Sequence, residues 1–252
     1  MLSIAQSLGS NGNRTKQHGV DVFRMIFKTT DPIHRLRLGS LIFAMAGVAA
    51  IFIDAPVSEY LQHQKLPGEI RKLFDFSEVF AHGMGVALII FTIGVLDRKH
   101  RRAIGRVLAC AYGAGIAANI AKLIVGRTRP RAFDFESNIL NTFTGWLPVL
   151  SETTWTSDFQ SFPSAHTATA TGLAIGLTWL YPHGKHWFMV LALLATFQRI
   201  VSQAHHPSDT FFGAAIACLT CSCFFSIGPL SRWFDHWEQS SSKTDATPEA
   251  GR

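Results

Sequence analysis

Six long apolar runs dominate the sequence and constrain its fold more than any other feature. They are Leu38–Ile53, Val79–Leu96, Ala103–Val125, Phe162–Tyr181, Trp187–Gln203 and Thr210–Leu230. Each approaches the roughly 17–25 residues that a helix needs to cross a bilayer. A segment in lipid must satisfy its own backbone hydrogen bonds, which a helix does. The runs therefore predict an all-α, polytopic membrane protein built as a six-transmembrane-helix bundle.

The composition excludes other broad classes of protein. Hydrophobic residues make up 48% of the 252 residues and charged residues 16%, whereas soluble domains carry roughly 25% charged residues. This excludes a disordered chain, a collagen-like chain and a disulfide scaffold, and it disfavours a soluble globule. All the cysteines lie inside apolar runs, where we interpret them as small packing residues: Cys110, Cys218, Cys221 and Cys223.

The distribution of basic residues predicts the orientation of the bundle. Lys and Arg are concentrated before the first run and between the second and third runs, at Arg98, Lys99, Arg101 and Arg102. Cytoplasmic segments carry such an excess, so both termini are predicted to be cytoplasmic. The chain then divides into a polar basic N-terminal arm (1–37), a six-helix membrane domain (38–230) and a disordered cytoplasmic tail (231–252).

Some charged residues fall inside the apolar runs. Arg106 is near the basic inner loop, and we expect it to snorkel to the cytoplasmic surface. Lys122 and Arg199 fall near the outer ends of their runs. Ser164 is placed to cap the helix that starts at the same outer level, with His166 in its first turn. The free N–H groups at such a helix start favour an anion.

The sixth run begins at the same predicted level. His205 and Asp209 are four residues apart, so a helix would bring them onto one face, where a carboxylate stabilises the imidazolium form. The loop after the third run adds Arg127, Arg129 and Arg131. Cations of this number suit phosphate, and paired histidines suit proton transfer and nucleophilic attack. The residues therefore indicate phosphoryl chemistry at the outer membrane surface, and we assign the net charge of +6 to lipid phosphate and membrane lipids, not to nucleic acid.

Three motifs carry these residues in order: Lys122-x6-Arg129-Pro130, Pro163-Ser164-x-His166 and Arg199-x5-His205-x3-Asp209. Together they resemble the signature of the type 2 phosphatidic acid phosphatase family. Its superfamily includes glucose-6-phosphatase, class A bacterial acid phosphatases and vanadium haloperoxidases. Two positions depart from the commonest form, because Gln198 replaces a frequent Ser and Ala165 replaces a frequent Gly.

The resemblance implies a two-step hydrolysis that uses no metal or other cofactor. His205 would attack the phosphorus and form a phosphohistidine, with Asp209 orienting it. His166 would protonate the leaving oxygen and then activate water. His206 is a rival nucleophile by proximity, but its spacing from Arg199 is one residue too long. The phosphate oxygens would be held by Lys122, Arg129, Ser164 and Arg199.

The expected substrate is a lipid phosphate that enters from the outer leaflet of a bacterial inner membrane. The resemblance implies several headgroups (undecaprenyl diphosphate, phosphatidylglycerol phosphate, phosphatidic acid or a lipid A phosphate), and no sequence feature selects among them. The aromatic-rich loop Arg131–Ser161 is either an interfacial belt or a lid over the site. Two alternatives stay open, a vanadate-dependent haloperoxidase-like enzyme and a non-enzymatic membrane transporter.

Overall fold

The computed structural model of the protein describes residues 32–64, 66–150, 156–226 and 228–239. Most of the predicted N-terminal arm, and the tail from residue 240, lie outside the described residues. Eight helices are described: α1 (Pro32–His63), α2 (Gly68–Ser77), α3 (Gly83–Leu96), α4 (Ile104–Lys122), α5 (Ala165–Leu180), α6 (Lys185–Val201), α7 (Pro207–Phe225) and α8 (Pro229–Gln239).

Helix α5 forms the centre of the bundle and packs against α4, α6 and α7. Its contact with α4 depends on small residues. A Cβ atom on Gly172 would lie 2.3 Å from the carbonyl oxygen of Cys110, and one on Gly176 would lie 3.0 Å from Val107. Glycine at these positions lets the two backbones approach closely, which is how helices gain packing contacts in a lipid environment.

Three described helices are long and apolar enough to cross a bilayer: α1, α4 and α7. A fourth crossing is possible if α2 and α3, which meet at a 67° bend, form one broken span. The six predicted crossings are therefore not confirmed. Helices α5 and α6 have only 16 and 17 residues, which rise about 25 Å, less than the roughly 30 Å of a hydrocarbon core.

A two-stranded ribbon adds an element that an all-α fold does not contain. Strand β1 (Val125–Arg127) pairs antiparallel with β2 (Phe143–Trp146), and Arg127 also bridges to Gln160. The ribbon carries the chain from the end of α4 into the Arg131–Ser161 loop. Within that loop Phe143 lies over the Arg127 guanidinium at 4.4 Å, while Trp146 is exposed. Its role as a belt or a lid stays a prediction.

Helix α8 corrects two predictions. The predicted disordered tail is helical from residue 231 to residue 239, because Pro229–Gln239 has one face that packs on the bundle through Phe234. Arg106 does not snorkel but is buried, and it donates to Asp235 at 2.5 Å and to Glu238 at 3.0 Å. Its guanidinium also lies 5.1 Å from the ring centroid of Trp179. These partners keep the charge inside the protein.

Candidate active site

Residues from all three motifs meet at one cavity of about 370 Å³. Its wall includes Lys122 from the end of α4, Arg129 from the following loop, His166 from the first turn of α5 and His205 from the turn before α7. The cavity continues past His82, Tyr112, Ile116 and Asn119. The structure therefore brings together four of the predicted site residues from separate elements.

The turn after α6 explains the spacing between Arg199 and His205. Helix α6 ends at Val201, and Gln203 adopts a φ of 56°, which reverses the chain. The carbonyl oxygen of Arg199 then accepts hydrogen bonds from the backbone N–H groups of Ala204 and His205, at 3.1 and 3.2 Å. This closed turn fixes both side chains relative to α6.

His205 is held through its Nδ1 atom. Nδ1 lies 2.6 Å from the carbonyl oxygen of Ser161 and 3.8 Å from Oδ2 of Asp209. Because a carbonyl oxygen can only accept, Nδ1 carries the proton and Nε2 keeps the lone pair. Burial lowers the pKa of His205 to about 3 despite the opposing charge of Asp209. The imidazole is therefore neutral and nucleophilic at neutral pH.

Asp209 reaches His205 mainly through Ser161. The Ser161 hydroxyl donates to Oδ2 of Asp209 at 2.6 Å, and the Ser161 carbonyl accepts from His205. The backbone N–H of His206 also donates to Oδ2, at 2.9 Å. The predicted pairing is therefore present at 3.8 Å, and it is supported by a bridge in which Asp209 fixes Ser161 and Ser161 fixes the imidazole.

His206, the rival nucleophile, occupies a different environment. Its ring is fully buried, with Nδ1 3.3 Å from the Ser58 hydroxyl and Nε2 3.1 Å from the carbonyl oxygen of Thr128. It does not line the cavity. Both ring nitrogens have protein partners, so His206 is held away from the cavity that His205 lines.

Ser164 caps α5 instead of lining the cavity. Its hydroxyl accepts from the backbone N–H of Thr167 at 3.3 Å, and its own N–H donates to the carbonyl oxygen of Asp209 at 3.0 Å. The predicted capping role is confirmed. The side chain is fully buried, so its contribution to phosphate binding stays a prediction.

The cationic side chains leave buried donors unused. The Nε atoms of Arg129 and Arg199 are buried without a hydrogen-bond partner, and Lys122 Nζ donates to the carbonyl oxygen of Gln160 at 2.5 Å. Burial, followed by the charges of Arg131 and Arg199, lowers the pKa of Arg129. Because buried donors are normally satisfied, an anion with several oxygens suits this cluster.

Glu78 is a site residue that the sequence analysis missed. It forms an ion pair with Arg199, lies 3.7 Å from Nε2 of His166, and accepts from Nε2 of Gln198 at 3.3 Å. Gln198 is one of the two departures from the commonest motif, and this contact accounts for it. The available signal was a lone carboxylate directly before the apolar run Val79–Leu96.

A second missed group is a buried ion-pair network around Arg127. Arg127, which the sequence grouped with the loop cations, is fully buried and bonded to the carboxylates of Asp54 and Asp209 at 2.7 and 2.5 Å. Burial lowers its pKa, but the charges of Asp209 and Asp54 outweigh that effect and raise it. The signal for Asp54 was an acidic residue directly after the first apolar run.

Comparisons with known proteins show the family of the chain. The family model described as "PAP2 superfamily" matches residues 103–233, just over half of the chain. The chain is 31% identical over 122 residues to a lipid A 1-phosphatase of Rhizobium johnstonii, covering 46% of each chain. It is 28% identical over 127 residues to a lipid A 1-phosphatase of Rhizobium etli, covering 46% of this chain and 50% of that protein. These matches span about half the length of the curated relatives.

Among solved structures, the chain is similar to the crystal structure of Aquifex aeolicus LpxE. That similarity has a TM-score of 0.48 and 18% sequence identity, and it covers 68% of this chain and 93% of the other.

Proposed function

Because the chain belongs to the PAP2 superfamily, we propose that it is a membrane phosphatase that hydrolyses a lipid phosphate through a phosphohistidine. One observation carries the proposal. A neutral histidine with its Nδ1 held, His205, shares a cavity with Lys122 and Arg129, and Nε of Arg129 is a buried donor without a partner. A tetrahedral oxyanion placed there would meet a nucleophile and unused donors together.

In the first step, Nε2 of His205 attacks the phosphorus as the bond to the leaving oxygen breaks. His166 gives its proton to that oxygen, so the lipid alcohol leaves neutral. Lys122, Arg129 and Arg199 hold the charge on the equatorial oxygens. The imidazole becomes positive as the N–P bond forms, and the negative Asp209, acting through Ser161, stabilises it.

In the second step, His166 accepts a proton from a water molecule whose oxygen attacks the phosphorus. The N–P bond breaks, inorganic phosphate is released, and His205 returns to its neutral form. Side chains of this protein neutralise the phosphate oxygens and transfer the protons in both steps, and the proposal therefore includes no metal. Splitting the hydrolysis in two replaces one difficult displacement by two easier ones.

We extend the proposal to the substrate class, a glycolipid phosphate of the lipid A 1-phosphate type. Both curated relatives are lipid A 1-phosphatases. Beyond the cations the cavity is lined by the polar side chains of His82, Tyr112 and Asn119 together with apolar Ile116. Such polar groups suit the hydroxyls of a sugar attached to the phosphate, while the apolar residue suits its acyl chains.

We also propose six crossings with both termini in the cytoplasm and the site at the outer face of a bacterial inner membrane. The basic cluster between α3 and α4 supports this orientation. Single cysteines introduced into the 131–161 loop test it. Labelling by an impermeant maleimide from outside intact cells supports the proposal, and labelling only after the cells are opened contradicts it.

Phosphate release by detergent-purified protein tests the activity. The substrates are lipid A 1-phosphate, phosphatidic acid, phosphatidylglycerol phosphate and undecaprenyl diphosphate, each with and without EDTA, and His205→Ala runs beside the unmodified chain. EDTA-resistant release that His205→Ala abolishes supports the mechanism, and preference for the glycolipid supports the substrate. Bromide oxidation dependent on added vanadate, or lipid flux without phosphate release, would favour the alternatives.

A further inference from the structure

We propose that Asp54 is a positioning residue for phosphoryl transfer, which acts through Arg127 to keep Asp209 oriented and negatively charged toward Ser161 and His205. The inference rests on the proposed function, and it assigns a role in the reaction to α1. Asp54 lies on α1, outside residues 103–233, the segment that matches the family.

The contacts form a closed buried network. Nη2 of Arg127 donates to Oδ2 of Asp54 at 2.7 Å, and Nη1 donates to Oδ1 of Asp209 at 2.5 Å. Ser208 ties the two sides together, since its N–H and hydroxyl donate to Asp54 at 2.9 and 2.5 Å and its oxygen accepts from Arg127 at 2.7 Å. Arg127 Nε donates to the Thr142 hydroxyl at 3.1 Å. The guanidinium is thereby fixed from three sides.

The charges of this network decide what Asp54 does. Asp54, Arg127 and Asp209 are all fully buried, so two carboxylates face one cation and the group is negative overall. If Asp54 were neutral, Arg127 would balance Asp209 completely. The positive charge that develops on His205 would then meet a neutral ion pair, and in a buried environment that difference is large. Asp54 therefore leaves Asp209 with an uncompensated negative charge.

A purely structural role makes a different prediction. Asp54 also ties α1 to the bundle, as Ser58 does through His206. If this were its whole purpose, removing its charge would lower the stability and loosen the cavity as a whole, so that ground-state and transition-state ligands would weaken together. The positioning role predicts that only the transition state weakens.

Asp54→Asn tests the proposal, with Glu59→Gln as its control. Glu59 is exposed on the same helix, and its substitution makes the same change of charge and shape. We expect Asp54→Asn to lower kcat about 10- to 100-fold, as displaced catalytic groups do, with KM unchanged. Inhibition by vanadate, which resembles the pentavalent transition state, should weaken by the same factor. Inhibition by inorganic phosphate should stay the same.

A coupling measurement asks whether Asp54 acts through Arg127. In an Arg127→Lys background, Asp54→Asn should change kcat less than about twofold, because the path to Asp209 is already broken. If Asp54→Asn does not yield monodisperse protein, Ser208→Ala replaces it. That variant keeps every charge and removes the hydroxyl that joins Asp54 to Arg127, so we expect a smaller loss of kcat with unchanged KM.

Several outcomes would overturn the role of Asp54. They are an unchanged kcat in folded Asp54→Asn, a parallel loss of vanadate and phosphate inhibition, or full additivity with Arg127→Lys. Failure of the proposed function looks different, because the unmodified chain and Glu59→Gln would then both release no phosphate. In that case the role of Asp54 is still tested by measuring how far vanadate raises the thermal midpoint. That rise should be smaller in Asp54→Asn than in Glu59→Gln, and an equal rise would contradict the inference.

Discussion

Gly213 sets the distance between α5, which carries His166, and α7, which begins two residues after His205. It lies on α7, and a Cβ atom there would be 2.5 Å from the carbonyl oxygen of Ser164 and 3.2 Å from Cβ of Thr167, at the start of α5. Gly213→Ala therefore cannot be accommodated by rotating a flexible side chain. The start of α5, which carries His166, must move away from α7.

The size of the movement follows from the contacts. Ordinary contact of a Cβ atom begins at 3.4 Å, so α5 and α7 must separate by about 0.9 Å, the difference from the 2.5 Å approach. A displacement of about 1 Å between catalytic groups costs on the order of 100-fold in rate. Overpacking costs about 1–3 kcal/mol of stability, and the better helix propensity of alanine offsets about 1 kcal/mol of it.

The assay is phosphate release at saturating lipid, with thermal unfolding in detergent beside it. Gly105→Ala on α4 is the matched control, since its Cβ would be 3.7 Å from the Phe234 ring, an ordinary contact. We expect kcat to fall about 100-fold in Gly213→Ala and to stay unchanged in Gly105→Ala. A Gly213→Ala protein with the kcat of the unmodified chain would refute the argument that this close approach aligns the site.

Three further predictions use other parts of the structure. Because burial lowers the pKa of His205 to about 3 and also lowers that of His206, folding favours the neutral rings. Above the ordinary pKa of 6.5 both rings are neutral in the folded and the unfolded protein. As pH falls from 6.5 toward 3, the unfolded protein gains protons that the folded protein does not, so the thermal midpoint should drop over that window and drop less in His205→Gln. Glu78→Gln should tighten inhibition by inorganic phosphate about threefold, since the partly exposed carboxylate no longer competes for Arg199; a weaker phosphate inhibition would contradict this. Arg106→Met should lower stability by about 1–2 kcal/mol with kcat unchanged, measured by thermal unfolding, and a changed kcat would show that α8 influences the site.

The predictable part of the site was local in sequence. Ser164 and His166 share one helix start, and Arg199 and His205 share one turn, so fixed spacings were enough to place them together. Their types also predicted phosphoryl chemistry, because cations and paired histidines at one level suit phosphate. The bridge from Asp209 through Ser161 to His205 uses the backbone carbonyl of Ser161, which no side-chain pattern reveals.

The unpredictable part of the site was distant in sequence. Asp54 lies 73 residues from Arg127, and Glu78 lies 121 residues from Arg199. Each carboxylate looked like an ordinary helix-end residue until the bundle brought its partner to it. Arg127 was assigned with its basic neighbours because sequence gives no direction to a side chain. Prediction of the fold was limited in the same way. Apolar runs locate helices but do not show that α5 and α6 are shorter than the hydrocarbon core is thick.

The order of synthesis gives the buried pair of Asp54 and Arg127 a consequence for biogenesis. If α1, the first described helix, crosses the bilayer, it enters carrying a carboxylate whose partner is made 73 residues later. An unpaired Asp costs up to about 2.5–3.5 kcal/mol in an inserting helix, the value for the helix centre, and Asp54 lies just after the apolar run. Helix α1 is the most apolar candidate span, with a mean hydropathy of 2.1 against 1.4 for α4 and α7, although only 11% of its apolar window is buried in the protein. We expect its excess of apolar surface to offset that cost until Arg127 has been translated.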